Sequence, residues 1–269
     1  MIVSDDFTNG FHKHWTQVTT GGGSLIISKS VLRMGFDSAE AGKYTDSQID
    51  DYTMVSKADY VWKPPLRMTV RARSSHPASN ARSTEITKGI LRGTAGFGFW
   101  NKPFTMQGNW FTLPQSIWFF YSAPPSDMAF IPGIPGWGWK AQVIHTTPQR
   151  VMTHGLPLAL TAGYARMRGK TSNAGHIMKR FVGAEEAIVT ADMTKWHTYT
   201  LEWHRDKSIF LVDDTCILYT PLSPSGALGF VAWIDNEFAV ATPNGELRFG
   251  KTATGAQWLE LDSVKIEKL

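Results

Sequence analysis

Cysteine is almost missing: Cys216 stands alone in 269 residues. Neither an intrachain disulfide nor a cysteine-built metal site is therefore available. No window of about 18 apolar residues occurs, so no membrane span is expected. The opening Met1-Ile2-Val3-Ser4-Asp5-Asp6 lacks a basic region followed by an apolar run, so no secretory signal is read. These absences together point to the cytoplasm, although a chain whose signal had been removed would read the same way. Internal repeats and low-complexity tracts are also absent.

What is present is the material of strands. Twenty-four glycines, fourteen prolines and 12% aromatic residues punctuate short apolar runs. This composition predicts one all-β domain over residues 1–269, a sandwich or barrel with ample core for its length. Leu66 to Arg73 alternates, with Leu66, Met68, Val70 and Ala72 on one face and Arg67, Arg71 and Arg73 on the other, as in a half-buried antiparallel strand. Ser24–Ser28 and Val31–Phe36 read as a hairpin. His197–Trp203, Ser208–Asp214, Cys216–Tyr219, Gly226–Asn236 and Trp258–Ile266 read as later strands. The densest block runs from Gly93 to His145. It holds three strands (Gly96–Asn101, Ser116–Tyr121 and Lys140–His145) and a proline-rich loop ending at Trp137 and Trp139.

Thr146 to Thr194 differs in character. Leu158–Arg168 has helix formers and stops before Gly169, and Ser172–Val182 begins with a capping serine. A helical flap is expected at 155–183. Arg166, Arg168, Lys170, Lys179 and Arg180 lie there without an acidic residue, while the rest of the chain is close to neutral. Such a patch suits an anionic ligand or an acidic carrier protein, or is simply a solvated face. Too few aromatic residues interleave it for a nucleic-acid partner.

Trp196 to Trp203 followed by Ile209 to Asp214 resembles a strand pair of glycoside hydrolase family 16. The resemblance implies a concanavalin A-like antiparallel β-sandwich, a jelly roll with one concave sheet carrying a cleft. It would make Gly96–Asn101, Ser116–Tyr121, Lys140–His145 and Leu228–Asn236 neighbours on that sheet. The family's retaining chemistry needs two carboxylates about 5 Å apart, alternating along one strand as Glu-x-Asp-x-Glu. The corresponding positions here are Ser116, Trp118 and Phe120, which carry no carboxyl, and the motif occurs nowhere else in the chain. Retaining cleavage of β-glucans by that arrangement is not expected.

The expected cleft is aromatic. Trp100, Trp118, Phe120, Trp137, Trp139 and Trp233 would line it, with Asn101, Gln142 and Asn236 as polar ligand-binding groups. His145 and Asp235 are the candidates for moving a proton. Asp46, Asp50 and Asp51 match no calcium loop, and His12 and His14 lack a third ligand of recognisable spacing. No metal or cofactor is therefore implied. Two functions fit. In the first, the cage encloses an apolar or polycyclic small molecule, with isomerisation, cyclisation or elimination as the chemistry if it is an enzyme. In the second, the protein is a glycan-binding module, or a glycosidase using carboxyls such as Asp235 and Glu237. Flat aromatic platforms serve both, so both stay open.

Overall fold

Alternation along the strands sets the architecture. The computed structural model describes residues 2–54, 60–79, 89–101, 114–131, 133–147, 183–241 and 247–269. Regular structure among the described residues is all strand. In chain order these are β1 (Val3–Asp5), β2 (Thr16–Thr20), β3 (Ser24–Ser28), β4 (Val31–Phe36), β5 (Asp46–Asp50) and β6 (Leu66–Ser74). Then come β7 (Thr94–Trp100), β8 (Gln115–Ser122), β9 (Gly138–His145), β10 (Ala184–Ile188), β11 (His197–Trp203) and β12 (Ser208–Val212). The last are β13 (Thr215–Thr220), β14 (Gly229–Asp235), β15 (Glu237–Ala241), β16 (Leu247–Lys251) and β17 (Gln257–Lys268). The helical flap expected at 155–183 and its basic cluster fall, up to residue 182, outside the described residues.

Two antiparallel sheets form the sandwich. The back sheet runs β13-β12-β11-β6-β17-β4-β3, with β1 added on β17. The front sheet runs β10-β9-β8-β7-β14-β5-β2, and β15-β16 is a separate hairpin. The four segments expected to be neighbours, now β9, β8, β7 and β14, are consecutive in the front sheet. In β6 the alternation holds as read: Leu66, Met68, Val70 and Ala72 are buried, while Arg67 and Arg73 pair with Glu202 and Glu260 across the outer face.

Aromatic rings fill the space between the sheets. Phe97, Phe99, Phe119, Trp139 and Phe230 from the front sheet meet Tyr199, Trp203 and Phe210 from the back. Phe119 lies edge-on to Tyr199 at 5.1 Å and to Phe210 at 5.3 Å. Fully burying one such side chain is worth roughly 1.5–3 kcal/mol.

Two hairpins use two-residue turns with positive φ at both central positions: Lys29 (52°) and Ser30 (59°), and Asp213 (46°) and Asp214 (64°). This backbone matches the twist of the flanking strands and favours Asn-Gly. Lys29 and Ser30 meet the left-handed penalty unaided, so K29N/S30G is expected to raise stability by about 1 kcal/mol. A urea midpoint that does not move would contradict this.

Candidate functional site

The β8 sequence divides two regions. Ile117, Phe119 and Tyr121 enter the inter-sheet core, so period-two geometry sends Ser116, Trp118, Phe120 and Ser122 to the opposite, front face. There a second apolar cluster gathers Tyr52, Tyr60, Phe120, Val231 and Trp233, with half-buried Trp100 and Trp118 packed on it. Trp118 stacks on Phe120 at 5.4 Å with an interplanar angle of 22°. It also lies 5.3 Å from Trp233 and 5.7 Å from Trp100, and Tyr52 continues the row 6.1 Å beyond Trp100.

Glycines on β7 make this surface possible. Gly98 pairs with Trp118 and Gly96 with Trp233. A Cβ at Gly98 would fall 2.4 Å from the Trp118 Cβ, and one at Gly96 would lie 3.0 Å from the Trp233 ring. The indoles therefore lie across β7 where a larger residue would lift them off.

A buried polar chain holds Trp118. Its indole N–H donates to Gln142 Oε1 at 2.8 Å, and the Gln142 amide donates to Glu186 Oε2 at 3.0 Å. The Lys140 ammonium reaches the same oxygen at 3.2 Å and also donates to the Pro135 carbonyl. Burial lowers the Lys140 pKa and raises that of Glu186, each opposed by the attraction of its partner.

Carboxyls occupy the other end of the front face. Along β5, Asp46, Gln48 and Asp50 share that face, and Asp46 sits directly opposite Asp235 of β14. Asp50 is committed to a turn: it accepts from the Tyr52 and Thr53 amides at 3.0 and 2.7 Å, and from the Gln48 and Thr53 side chains at 2.6 Å each. Asp235 Oδ1 accepts from Thr94 N, Thr94 Oγ1 and Glu237 N at 3.1, 2.8 and 2.9 Å. Thr94 in turn accepts the Trp233 indole N–H at 2.9 Å, tying the carboxyl to the aromatic row.

Burial, and then Glu237, push Asp235 up to about 7 from its ordinary 3.8. Asp46 is also raised, by burial first and then by Asp235, Glu237 and Asp50. Folded Asp235 thus keeps a proton that the unfolded chain releases near pH 4. The stability tied to that proton is complete below about pH 4 and is lost as pH rises through about 7. The slope between is at most ~1.4 kcal/mol per pH unit. D235N is expected to flatten this dependence. Urea midpoints from pH 4.5 to 7.5 that fall as steeply in D235N as in the parent would refute it.

Of the residues expected at the cleft, Trp100, Trp118, Phe120, Gln142, Trp233 and Asp235 come together on the front face. Others are elsewhere. Trp139 is in the inter-sheet core, 5.7 Å from Phe97 and 5.6 Å from Tyr199, because Lys140 takes the outward position on β9. His145 shares the parity of Val143 and Ala141, which face that core, so it does not join Gln142 on the aromatic side. Asn236 is fully buried and donates to the Lys43, Glu40 and Thr252 carbonyls while accepting from Thr45 N, so it pins loops together. Asn101 accepts from the Gln115 amide beside β8, and Trp137 is half-buried on the loop before β9. Tyr52, Tyr60, Lys140 and Glu186 were not anticipated; the Lys140-x-Gln142 alternation was the signal available for one of them. Among the described residues no three His, Cys, Asp or Glu side chains are placed to hold a metal ion.

No family model matches this sequence, and no curated protein matches it. Solved structures do. The chain is similar to an endo-acting O-glycanase from members of the human gut microbiota, with TM-score 0.55, 12% identity, and 99% of this chain and 98% of the other covered. It is also similar to a β-1,3-1,4-glucanase (lichenase) derived from a mouse hindgut metagenome, with TM-score 0.51 and 11% identity over 100% and 99% of the two chains. A Bacillus licheniformis β-glucanase gives TM-score 0.50 and 11% identity over 100% and 98%. At such identities the likeness establishes the fold: a concanavalin A-like jelly roll.

Proposed function

We propose that the front face binds a glycan, with the sugar rings lying on the half-buried Trp100 and Trp118, which Trp233 supports from beneath. The observation that carries this reading is that surface itself: large rings held over β7 glycines, with hydrogen-bonding carboxyls and amides at its margins. Pyranose rings present apolar C–H faces to aromatic planes and hydroxyls to polar rims, which matches this division. The three solved structures named above, all described by glycan cleavage, support it by analogy of fold. The small-molecule reading keeps one specific observation in its favour: Ser116, Trp118 and Phe120 give β8 no carboxyl on this face.

Affinity electrophoresis against mixed-linkage β-1,3-1,4-glucan, β-1,3-glucan and mucin tests the proposal. At least one is expected to retard the parent protein, and W118A and W233A are expected to migrate unretarded. If none retards it while a polycyclic apolar dye quenches tryptophan fluorescence at micromolar concentration, the small-molecule reading replaces this one.

A further inference from the structure

The aromatic row does not explain why two carboxyls are buried face to face at its end. Asp46 and Asp235 are 3% and 5% exposed. Directly opposed residues on an antiparallel pair have Cβ atoms about 4.5–5.5 Å apart, and like charges so placed are destabilising. Asp50, by contrast, spends both oxygens on its own turn. Asp46 Oδ1 is buried and has no hydrogen-bond partner. A buried acceptor left unpaired costs about 1–3 kcal/mol, more when charged. The charged neighbours that bear on it (Asp235, Glu237 and Asp50) are acidic as well, and the Ser47 amide is the one group that favours the Asp46 carboxylate. Lys251 is engaged by Glu237 at 3.0 Å. The Tyr44 hydroxyl lies in the field of Asp235, Asp46 and Glu237, and Tyr44 and Glu237 are partly exposed, giving the group a margin toward solvent.

Resting on the glycan reading above, we infer that Asp46 and Asp235 form the polar subsite at the end of the aromatic row, one that takes a hydrogen-bond-donating group of the sugar and rejects anionic sugars. A hydroxyl or an ammonium satisfies Asp46 Oδ1. Once pH rises above about 7 and Asp235 loses its proton, the pair carries charge, and a carboxylate or sulfate there adds only acceptors and repulsion in a poorly solvated setting. The subsite therefore assigns the ligand class: neutral or amino-substituted glycans, and not uronates or sialylated or sulfated chains.

The test compares, at pH 8, dissociation constants of the parent protein for mixed-linkage β-glucan in native, C6-oxidised and C6-aminated forms, and for mucin before and after desialylation. The native and aminated glucan, or the desialylated mucin, are expected to bind at least tenfold more tightly than the anionic form of the same polymer. The aminated arm tells an ammonium donor from a hydroxyl. In D46N/D235N, with the fold checked by near-ultraviolet circular dichroism, the ratio is expected to shrink to within about threefold while the native polymer is still bound. D46N alone is read if the double variant does not fold. Equal affinity of the parent protein for anionic and neutral forms overturns the subsite and leaves the aromatic cleft standing, as does an unchanged ratio in the variants. Failure to bind any polymer overturns both.

Discussion

Phe119→Ala is expected to destabilise the protein by about 3–5 kcal/mol, near the upper end for a single core truncation. Trp118→Ala, one residue away, is expected to leave most of that stability in place and to remove glycan retention. The contrast follows from strand parity alone. Phe119 is fully buried against Trp139, Tyr199 and Phe210, with rings from both sheets around it, and nothing adjacent can collapse into the hole without disturbing them. Trp118 is half-buried on the front face, where its loss uncovers Phe120 and Trp233 without opening the inter-sheet core. Urea unfolding and affinity electrophoresis on the two variants measure this directly. Comparable destabilisation by both would mean that the front cluster is a second structural core.

The second large effect concerns Lys140 and Glu186. Their side chains are 2% and 0% exposed, and they meet at 3.2 Å. Glu186→Ala strands an ammonium beside the Pro135 carbonyl with its counter-charge gone, which is expected to cost about 3–5 kcal/mol. K140M/E186L removes both charges and is expected to stay within ~1 kcal/mol of the parent, since a buried pair gains little over apolar packing. The cycle has a further readout. Glu186 acts on Trp118 through Gln142, so E186A should alter the Trp118 emission even where the protein remains folded. Additive single-variant costs would show that the pair is not coupled.

The sequence made much of this readable, for reasons that can be located. Alternation in β6 marks which residues share a face, because polar and apolar positions there differ; in β8, apolar from Ile117 to Tyr121, the phase comes from the family 16 resemblance. In β9 it failed. Every residue from Gly138 to Ile144 is buried, so no exposed polar position distinguishes the side of Trp139 from that of Lys140, and from the sequence the tryptophan reads as a cleft residue. β10 is hidden within Thr146 to Thr194, the segment of different character, because Ala184-Glu185-Glu186-Ala187-Ile188 is short and charged. Its Glu186 makes sense only beside Lys140, 46 residues earlier. Asn236 looked like a cleft residue because it follows Trp233 and Asp235, but its amide satisfies backbone carbonyls from loops distant in the chain. The acids were visible, and their opposition was not: it depends on the pairing of β5 with β14, which no local pattern encodes.

The placement of β17 has a kinetic consequence. This strand, Gln257–Lys268, lies inside the back sheet, hydrogen-bonded to β6 on one side and β4 on the other. A nascent chain that has emerged only as far as β16 has both flanking strands but not the one that joins them, and each offers an open edge to other molecules. Closure of the back sheet must therefore wait until β17 has emerged, and it proceeds through contacts far apart in sequence, the kind that fold in milliseconds to seconds. The open edges of β6 and β4 during that interval are the kind of surface that aggregates unless a chaperone shields it.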